Sequence, residues 1–101
     1  MKIIKLFPNF FLPVSAALML FACTAAPVQE MSDARQALQA ARAAGAEALA
    51  KGKYQDAKTH LEKAEDMLEK GDYSHAKQSA LEAKKKAIDA REQALKSNKQ
   101  Q

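Results

Sequence analysis

The chain has 101 residues, of which 48% are apolar, and it carries one Cys, no Trp and a formal net charge of +4. About one hundred residues suffice for one small domain, so the length excludes a multidomain enzyme and leaves little room for a deep substrate pocket. The composition changes near residue 23, because all four Phe precede that point and Ala dominates after it. The two parts therefore call for separate interpretation.

The first 22 residues are typical of a secretory signal. A basic start that includes Lys2 and Lys5 precedes a mostly apolar stretch, which Pro8 and Pro13 interrupt. The uninterrupted apolar part is far shorter than the roughly 20 residues that a membrane-spanning helix needs. Residues 1–22 are therefore predicted to be a cleaved signal peptide that is no part of the fold. An uncleaved membrane anchor is the alternative.

The lone Cys ends this segment in the run Leu20-Phe21-Ala22-Cys23, which resembles the lipobox of bacterial lipoproteins. In that family the Cys thiol receives a diacylglycerol, the peptidase cuts between Ala22 and Cys23, and the new amine is acylated, for example with palmitate. Phe21 departs from the pattern, since a smaller residue is usual there, and an ordinary secretory cleavage nearby is the alternative. Several acyl chains on Cys23 would anchor the protein to a membrane without a spanning helix.

The residue after the Cys indicates which membrane would hold the protein. It is Thr24 and not Asp. By resemblance to lipoproteins of Gram-negative bacteria, Thr24 favours the outer membrane, facing the periplasm, over the inner membrane. Cleavage would remove 22 of the 101 residues and leave 79, and the loss of two Lys would lower the charge from +4 to +2. This small charge argues against a nucleic-acid partner.

The mature chain is predicted to begin with an acylated Cys and a tether over residues 23–31, because this stretch contains Pro27 and no periodicity. From Ser32 onward strong helix formers fill the sequence, and Ser32 is a suitable N-cap. Ala and Leu then recur in steps of three and four, which predicts a first helix over 32–51. Gly45 inside it costs about 1 kcal/mol relative to Ala, so either a neighbouring helix approaches there or the helix bends.

An internal repeat follows, in which residues 49–58 align with residues 68–77 at an offset of 19. Leu, Lys, Gly, Tyr, Ala and Lys recur in register. The repeat predicts a helix end, a turn and a new helix start in each copy, with Gly52 and Gly71 in the left-handed conformation that ends a helix.

The residues after the two glycines differ between the copies. Asp72 is a suitable N-cap for the next helix, whereas Lys53 is not, so the first turn is predicted to be the looser one. Tyr54 and Tyr73 stand at the predicted helix starts. We predict that both tyrosines pack into the core at the joints, with an exposed ligand platform as the alternative.

Two further helices are predicted over 54–70 and 73–97, and residues 98–101 are predicted to fray. The third helix repeats Ala in steps of three and four, a heptad-like seam that Leu81, Ile88 and Leu95 flank. Short loops favour antiparallel neighbours, so the predicted fold is all-α, a small antiparallel three-helix bundle with Ala-rich packing over 32–97. Alanine buries little area, which makes self-association a reasonable hypothesis.

Two resemblances bear on function. The Gly-x-Tyr-x-x-Ala joint resembles that of tetratricopeptide repeats, although that family repeats at 34 residues and this chain at 19. Residues 32–95 more closely resemble small bacterial envelope lipoproteins with an Ala-rich helical domain of unknown function. The shared features are a Ser-Asp-Ala-Arg opening (32–35), an Ala-Ala-Gly-Ala stretch (43–46) and the Gly-Asp-Tyr-x-x-Ala joint (71–76). The resemblance implies an envelope location and no known catalytic residues.

The sequence predicts no catalysis. His60 lies four residues after Asp56, but with His75 on another helix this is at most half of a metal site, so we predict no metal and no cofactor besides the lipid. Ser74 adjoins His75, yet neighbouring helical residues point about 100° apart and make no nucleophile–base pair. We therefore predict that the protein is not an enzyme.

One charge run stands out, Lys84-Lys85-Lys86. Three successive residues spread over about 200° of a helix, so a solvated flank is the expected role. The alternative is contact with anionic envelope material such as lipid headgroups or peptidoglycan.

Together these patterns predict a membrane-anchored periplasmic lipoprotein with a structural or protein-interaction role in the cell envelope. Its expected partners are the membrane through the lipid anchor, an envelope protein or peptidoglycan, and a second copy of itself. A tetratricopeptide-like peptide-binding adaptor is one alternative. A periplasmic metal-binding protein that uses His60 and His75 is the other.

Overall fold

A computed structural model describes residues 26–100, so the predicted signal (1–22) and Cys23 lie outside the described residues. The described chain is all-helical and contains no strand, which confirms the all-α prediction. Its four helices are α1 (Val28–Ala43), α2 (Ala46–Leu49), α3 (Lys51–Glu69) and α4 (Tyr73–Gln100).

The first helix begins four residues before its predicted start. Pro27 occupies the N-cap position, and its carbonyl accepts a hydrogen bond from the Met31 N–H at 3.0 Å. Proline is well tolerated at a helix start because the first N–H groups have no partner within the helix. Ser32 therefore lies inside α1, and residues 28–31, which the sequence assigned to the tether, are helical.

The helix predicted over 32–51 is interrupted at Gly45. This residue has a φ of +88°, and its N–H donates to the Arg42 carbonyl at 2.9 Å. A glycine in the left-handed region ends an α-helix. The chain then forms the single turn of α2 and enters α3 at Lys51. The bend that Gly45 suggested is thus a complete helix end.

The two glycines of the repeat have different conformations. Gly71 has a φ of +80°, and the N–H groups of Gly71 and of the next residue donate to the carbonyls of Leu68 and Met67 at 3.1 and 2.9 Å. The left-handed conformation of Gly71 confirms its predicted helix-ending role, and these two hydrogen bonds form a Schellman motif. Gly52 instead lies in the first turn of α3, so its predicted helix-ending role is wrong.

The longer helices pack mainly through alanine. Besides Pro27, the larger apolar side chains buried within residues 26–100 are Met31, Tyr54 and Leu61. The predicted seam of α4 is buried at each of its alanines, namely Ala76, Ala80, Ala83, Ala87, Ala90 and Ala94. A methyl group lets helices approach closely but removes little area from water, so each contact contributes less than a leucine contact would.

The buried side chains form two clusters, and Leu38 packs against both. The Met31 cluster consists of Met31, Ala34, Leu61, Ala64, Ala80 and Ala83. The Tyr54 cluster consists of Ala41, Ala46, Ala50, Tyr54, Ala90 and Ala94. Each cluster contains residues of α1 or α2, of α3 and of α4, so the clusters connect all the helices.

The last helix is longer than predicted. It continues to Gln100, so the segment predicted to fray is helical up to that residue. Asn98 stabilises this end, because its Nδ2 donates to the Ala44 carbonyl at 3.3 Å. The last carbonyls of a helix have no partner within it. The amide of Asn98 therefore joins the end of α1 to the end of α4.

Candidate functional site

A shallow groove of about 280 Å³ lies between α1 and α3. Leu38 and Leu61 supply its apolar lining, and Arg35, Gln39 and Arg42 supply polar groups from α1. These α1 residues are three, four or seven positions apart, which places them on one face of a helix. The groove therefore combines an apolar surface with two guanidinium groups.

The Arg42 guanidinium is held at one end of the groove. Its Nε donates to the Tyr54 hydroxyl oxygen at 3.1 Å and lies 3.6 Å from Glu47 Oε1. The hydrogen bond with Tyr54 is the main reason that the pKa of Arg42 lies above its ordinary value, and the Glu47 charge acts in the same direction. Arg42 is therefore a permanent cation whose orientation depends on a buried tyrosine.

Arg35 marks the other end of the groove. Its Nη2 lies 3.9 Å from Glu65 Oε1, and both side chains are about half exposed. Such an exposed ion pair is weak and easily exchanged for another carboxylate. Since arginine binds carboxylates through a pair of parallel hydrogen bonds, the groove is suited to an amphipathic ligand that carries a carboxylate. Its lining supplies no nucleophile beside a base.

The joint between α3 and α4 holds a polar pair that the sequence partly predicted. Asp72 Oδ1 accepts a hydrogen bond from the His75 N–H at 3.3 Å, which confirms Asp72 as the N-cap of α4. Asp72 Oδ2 also lies 2.7 Å from Nδ1 of the His75 ring. The side-chain hydrogen bond and then the backbone one lower the pKa of Asp72. His75 thus completes a helix cap.

The residues considered for metal binding are not assembled into a site within residues 26–100. In this range no group of three or more His, Cys, Asp or Glu side chains is placed so that it could hold a metal ion. The metal-binding alternative through His60 and His75 therefore gains no support from the described geometry.

The two tyrosines of the repeat have different environments. Tyr54 is 1% exposed within the Tyr54 cluster, which confirms its predicted burial. Tyr73 is 42% exposed, so the prediction that it packs into the core is wrong. The reason is position, because Tyr54 lies one turn inside α3 whereas Tyr73 is the first residue of α4.

The lysine run lies in the middle of α4, and its members differ in environment. Lys84 Nζ is 4.0 Å from Asp33 Oδ2, Lys85 is exposed, and Lys86 is partly buried. The three side chains therefore present no single concentrated patch.

Comparison with known proteins places the packed helices in a family. The model of a domain of unknown function, DUF4398, matches residues 29–101. This chain belongs to the DUF4398 family. No curated protein and no solved structure matches the chain. The family is uncharacterised, which agrees with the helical domain of unknown function that the sequence resembled.

None of the helices that the structure describes in this DUF4398 protein combines the length and apolarity needed to cross a membrane.

The groove residues Arg35 and Arg42 were not predicted from the sequence. Their spacing of seven beside the buried Ala34 and Ala41 was the available signal, but the pairing with α3 depends on tertiary packing.

Proposed function

We propose that this DUF4398 protein is a lipid-anchored protein of the bacterial envelope with a structural or protein-interaction role and no catalytic activity. The observation that carries the proposal is Cys23, which follows Leu20 and Ala22 at the end of a basic and then apolar segment. Acylation at Cys23 would anchor the chain stably through several acyl chains. Thr24 favours the outer membrane, with the domain facing the periplasm.

The start of α1 supports a position close to the bilayer. Four residues separate Cys23 from Val28, the first residue of α1. From the Cα atom of Cys23 to that of Val28 the chain takes five residue steps, which span no more than about 18 Å when fully extended. An acyl group on Cys23 would therefore keep the helical domain next to the membrane surface, where it can contact lipid headgroups, peptidoglycan or envelope proteins.

We further propose that the helices form a small three-helix bundle with antiparallel neighbours. Arg35 lies near Glu65 and Arg42 near Tyr54, so residue numbers fall along α3 as they rise along α1. The Schellman turn at Gly71 then leads from α3 into α4. In this arrangement α2 is a single turn in the first connection.

A Cys23→Ser variant tests the lipid anchor. The full chain, expressed in a Gram-negative host with a radiolabelled palmitate, is expected to carry the label and to fractionate with the outer membrane. Cys23→Ser is expected to lose the label and to remain unprocessed, whereas Ala26→Ser, a control that leaves Cys23 in place, should behave like the unaltered chain. If Cys23→Ser stays membrane-bound at the size of the unaltered protein, the proposal fails.

A Thr24→Asp variant tests the choice of membrane. It is expected to keep the palmitate label and to move from the outer-membrane to the inner-membrane fraction on a density gradient. An unchanged distribution would contradict the proposed role of Thr24 and leave the lipid anchor intact.

A peptide-binding adaptor is the second candidate, and the groove between α1 and α3 favours it. A peptide with an apolar side chain and a carboxylate would complement Leu38, Leu61 and the two guanidinium groups. A photo-crosslinking amino acid at Gln39 is expected to give an adduct that Arg35→Ala and Arg42→Ala abolish. Arg91→Ala, which removes a guanidinium from α4, is the control and should leave the adduct intact. Absence of any adduct would dismiss this candidate.

A further inference from the structure

The largest apolar side chains of α4 after its first residue point away from its packed face. Leu81, Ile88 and Leu95 are 48%, 42% and 38% exposed, whereas the buried positions of this helix are alanines and Ser79. The three exposed residues are seven positions apart and therefore form one line along the helix, about 21 Å long at 1.5 Å per residue. We call this line the α4 stripe.

We propose that the α4 stripe is the contact surface for a second copy of this chain, packed antiparallel about a two-fold axis at Ile88. Such an axis places Ile88 against Ile88 of the second copy. It also places Leu81 against Leu95 of the second copy, and Leu95 against its Leu81. The apolar pattern is thus complementary to itself, which is the requirement for an interface between identical surfaces.

Charged residues along one flank of the stripe fit the same symmetry. Lys85 and Glu92 lie four residues after Leu81 and Ile88, respectively, and therefore adjoin the stripe on the same side. The antiparallel axis places Lys85 opposite Glu92 of the second copy. A parallel dimer in register would instead turn this flank toward the opposite flank of the second copy, where Lys85 meets Lys84 and Glu92 meets Arg91. The antiparallel arrangement therefore gives Lys85 an opposite charge, whereas the parallel one gives it a like charge.

A second pair of opposite charges supports this alignment. Glu82 and Lys96 lie farther out on the same flank. The axis places Glu82 opposite Lys96 of the second copy, and Lys96 opposite its Glu82. Like charges oppose association at two places, because the axis brings Lys84 near Arg91 of the second copy and Asp89 near its Asp89. Asp33 reduces the repulsion at Lys84, because its carboxylate lies 4.0 Å from Lys84 within the same chain.

A second copy explains the stripe better than a membrane surface does. An anionic bilayer favours lysine and arginine on both flanks of an apolar stripe. Here the near flank carries three acidic residues, Glu82, Asp89 and Glu92, besides Lys85 and Lys96. This proposal does not depend on the lipid at Cys23, so the two proposals can fail separately.

Single cysteines in the full chain test the contact. In cells treated with a membrane-permeable bis-maleimide, Ile88→Cys is expected to give a covalent dimer by itself. Leu81→Cys and Leu95→Cys are each expected to give little dimer alone and to crosslink when they are co-expressed. Gln55→Cys, at an exposed position of α3, is the matched control, and the unaltered chain measures any background from Cys23.

The yields of crosslinked dimer decide the proposal. We expect a yield from Ile88→Cys that is several-fold above that of Gln55→Cys. Equal yields from these two variants would overturn the proposal. Self-crosslinking of Leu81→Cys as strong as that of the mixed pair would also overturn it, because it indicates a parallel arrangement. Shielding of Ile88→Cys from the reagent without dimer formation indicates another occupant and overturns it as well.

Charge reversal tests the alignment independently. In the Ile88→Cys background, Lys85→Glu is expected to lower the dimer yield several-fold, because it places Glu against Glu92 of the second copy. Adding Glu92→Lys is expected to restore the yield. Lys58→Glu makes the same charge change at an exposed position of α3 and should have no effect. If the second reversal does not restore the yield, the proposed alignment is wrong.

Discussion

Residues 49–58 and 68–77 share six residues in register, yet the two copies of the repeat fold differently. In the second copy, Gly71 ends α3 in a left-handed conformation and Asp72 caps α4. In the first copy, Gly52 lies inside α3, and the left-handed glycine that follows the end of α1 is Gly45, seven residues before Gly52. The residues after the two glycines agree with this difference, because Asp72 can accept a hydrogen bond from a helix N–H and Lys53 cannot.

The same comparison extends to the tyrosines. The first copy places Tyr54 one turn inside a helix, where its ring fills space among alanines and its hydroxyl accepts a hydrogen bond from Arg42. The second copy places Tyr73 at the first position of α4, where 42% of its surface stays exposed. An equivalent position in a sequence repeat therefore does not guarantee equivalent burial.

The two copies are expected to differ most in the stability that is lost when the aromatic ring of each is removed. Tyr54→Ala leaves a cavity in the Tyr54 cluster and is expected to lower the free energy of unfolding by about 3–5 kcal/mol. Tyr73→Ala removes a partly exposed ring and is expected to cost about 1 kcal/mol or less. Urea denaturation followed by circular dichroism measures both. Equal losses would contradict the different burial of the two rings.

Replacing each glycine by alanine is expected to give effects of opposite sign. Gly71→Ala forces a Cβ atom into the left-handed region and is expected to destabilise the protein by about 1–2 kcal/mol. Gly52 lies in a helix, and beyond its chain neighbours and the nearby helix backbone no heavy atom would lie within 4 Å of an added Cβ. Gly52→Ala is therefore expected to stabilise the protein by about 0.5–1 kcal/mol. Thermal unfolding of the two variants distinguishes them. Destabilisation by Gly52→Ala would indicate that the first copy turns as the second does.

A smaller effect is expected from the residues after the glycines. Asp72→Ala removes the acceptor for the His75 N–H and is expected to lower the unfolding temperature, by less than Gly71→Ala does. Lys53→Ala, at the equivalent exposed position of the first copy, removes no cap and should leave the unfolding temperature nearly unchanged. A larger loss from Lys53→Ala than from Asp72→Ala would reverse the comparison.

The smallest expected effect is a pH dependence of the stability that arises from Asp72, in the second copy. The pKa of Asp72 is lowered in the folded protein, first by the hydrogen bond from the His75 side chain and then by the one from its backbone. The carboxylate therefore stabilises the fold above its unfolded pKa, near 3.9, and this contribution is lost as the pH falls through the lower folded pKa. The unfolding temperatures of the unaltered chain and Asp72→Asn should converge below about pH 4.

A second variant identifies the cause of this convergence. His75→Ala removes the ring that makes the shorter contact with Asp72. In that background, the difference in unfolding temperature between proteins with Asp and with Asn at position 72 should depend less on pH. Unchanged pH dependence in the His75→Ala background would show that another group is responsible.

Local signals in the sequence predicted much of the fold. The buried alanines of α4 follow steps of three and four, and Gly71 with Asp72 forms the predicted turn because helix end and helix cap agree there. The connection between α1 and α3 was harder to predict, because Gly45 and Gly52 are both candidates for the helix end. The choice between them depends on how Ala46 and Ala50 pack in the Tyr54 cluster, and that is tertiary information.

The candidate site was less predictable than the fold. Arg42 meets Tyr54 across two helices, and the sequence gives the face of each helix but not their relative positions. Cys23 is the opposite case, because its predicted role depends only on the residues beside it and stays a prediction.

The alanine interior also determines which substitutions the domain accepts. At fully buried positions such as Ala34, Ala80 and Ala90, almost any replacement adds atoms where another helix already lies. The protein is therefore specified by the places where side chains must stay small, more than by a set of large side chains that must be kept. Distant relatives are expected to share the spacing of their small residues while differing in almost every bulky one.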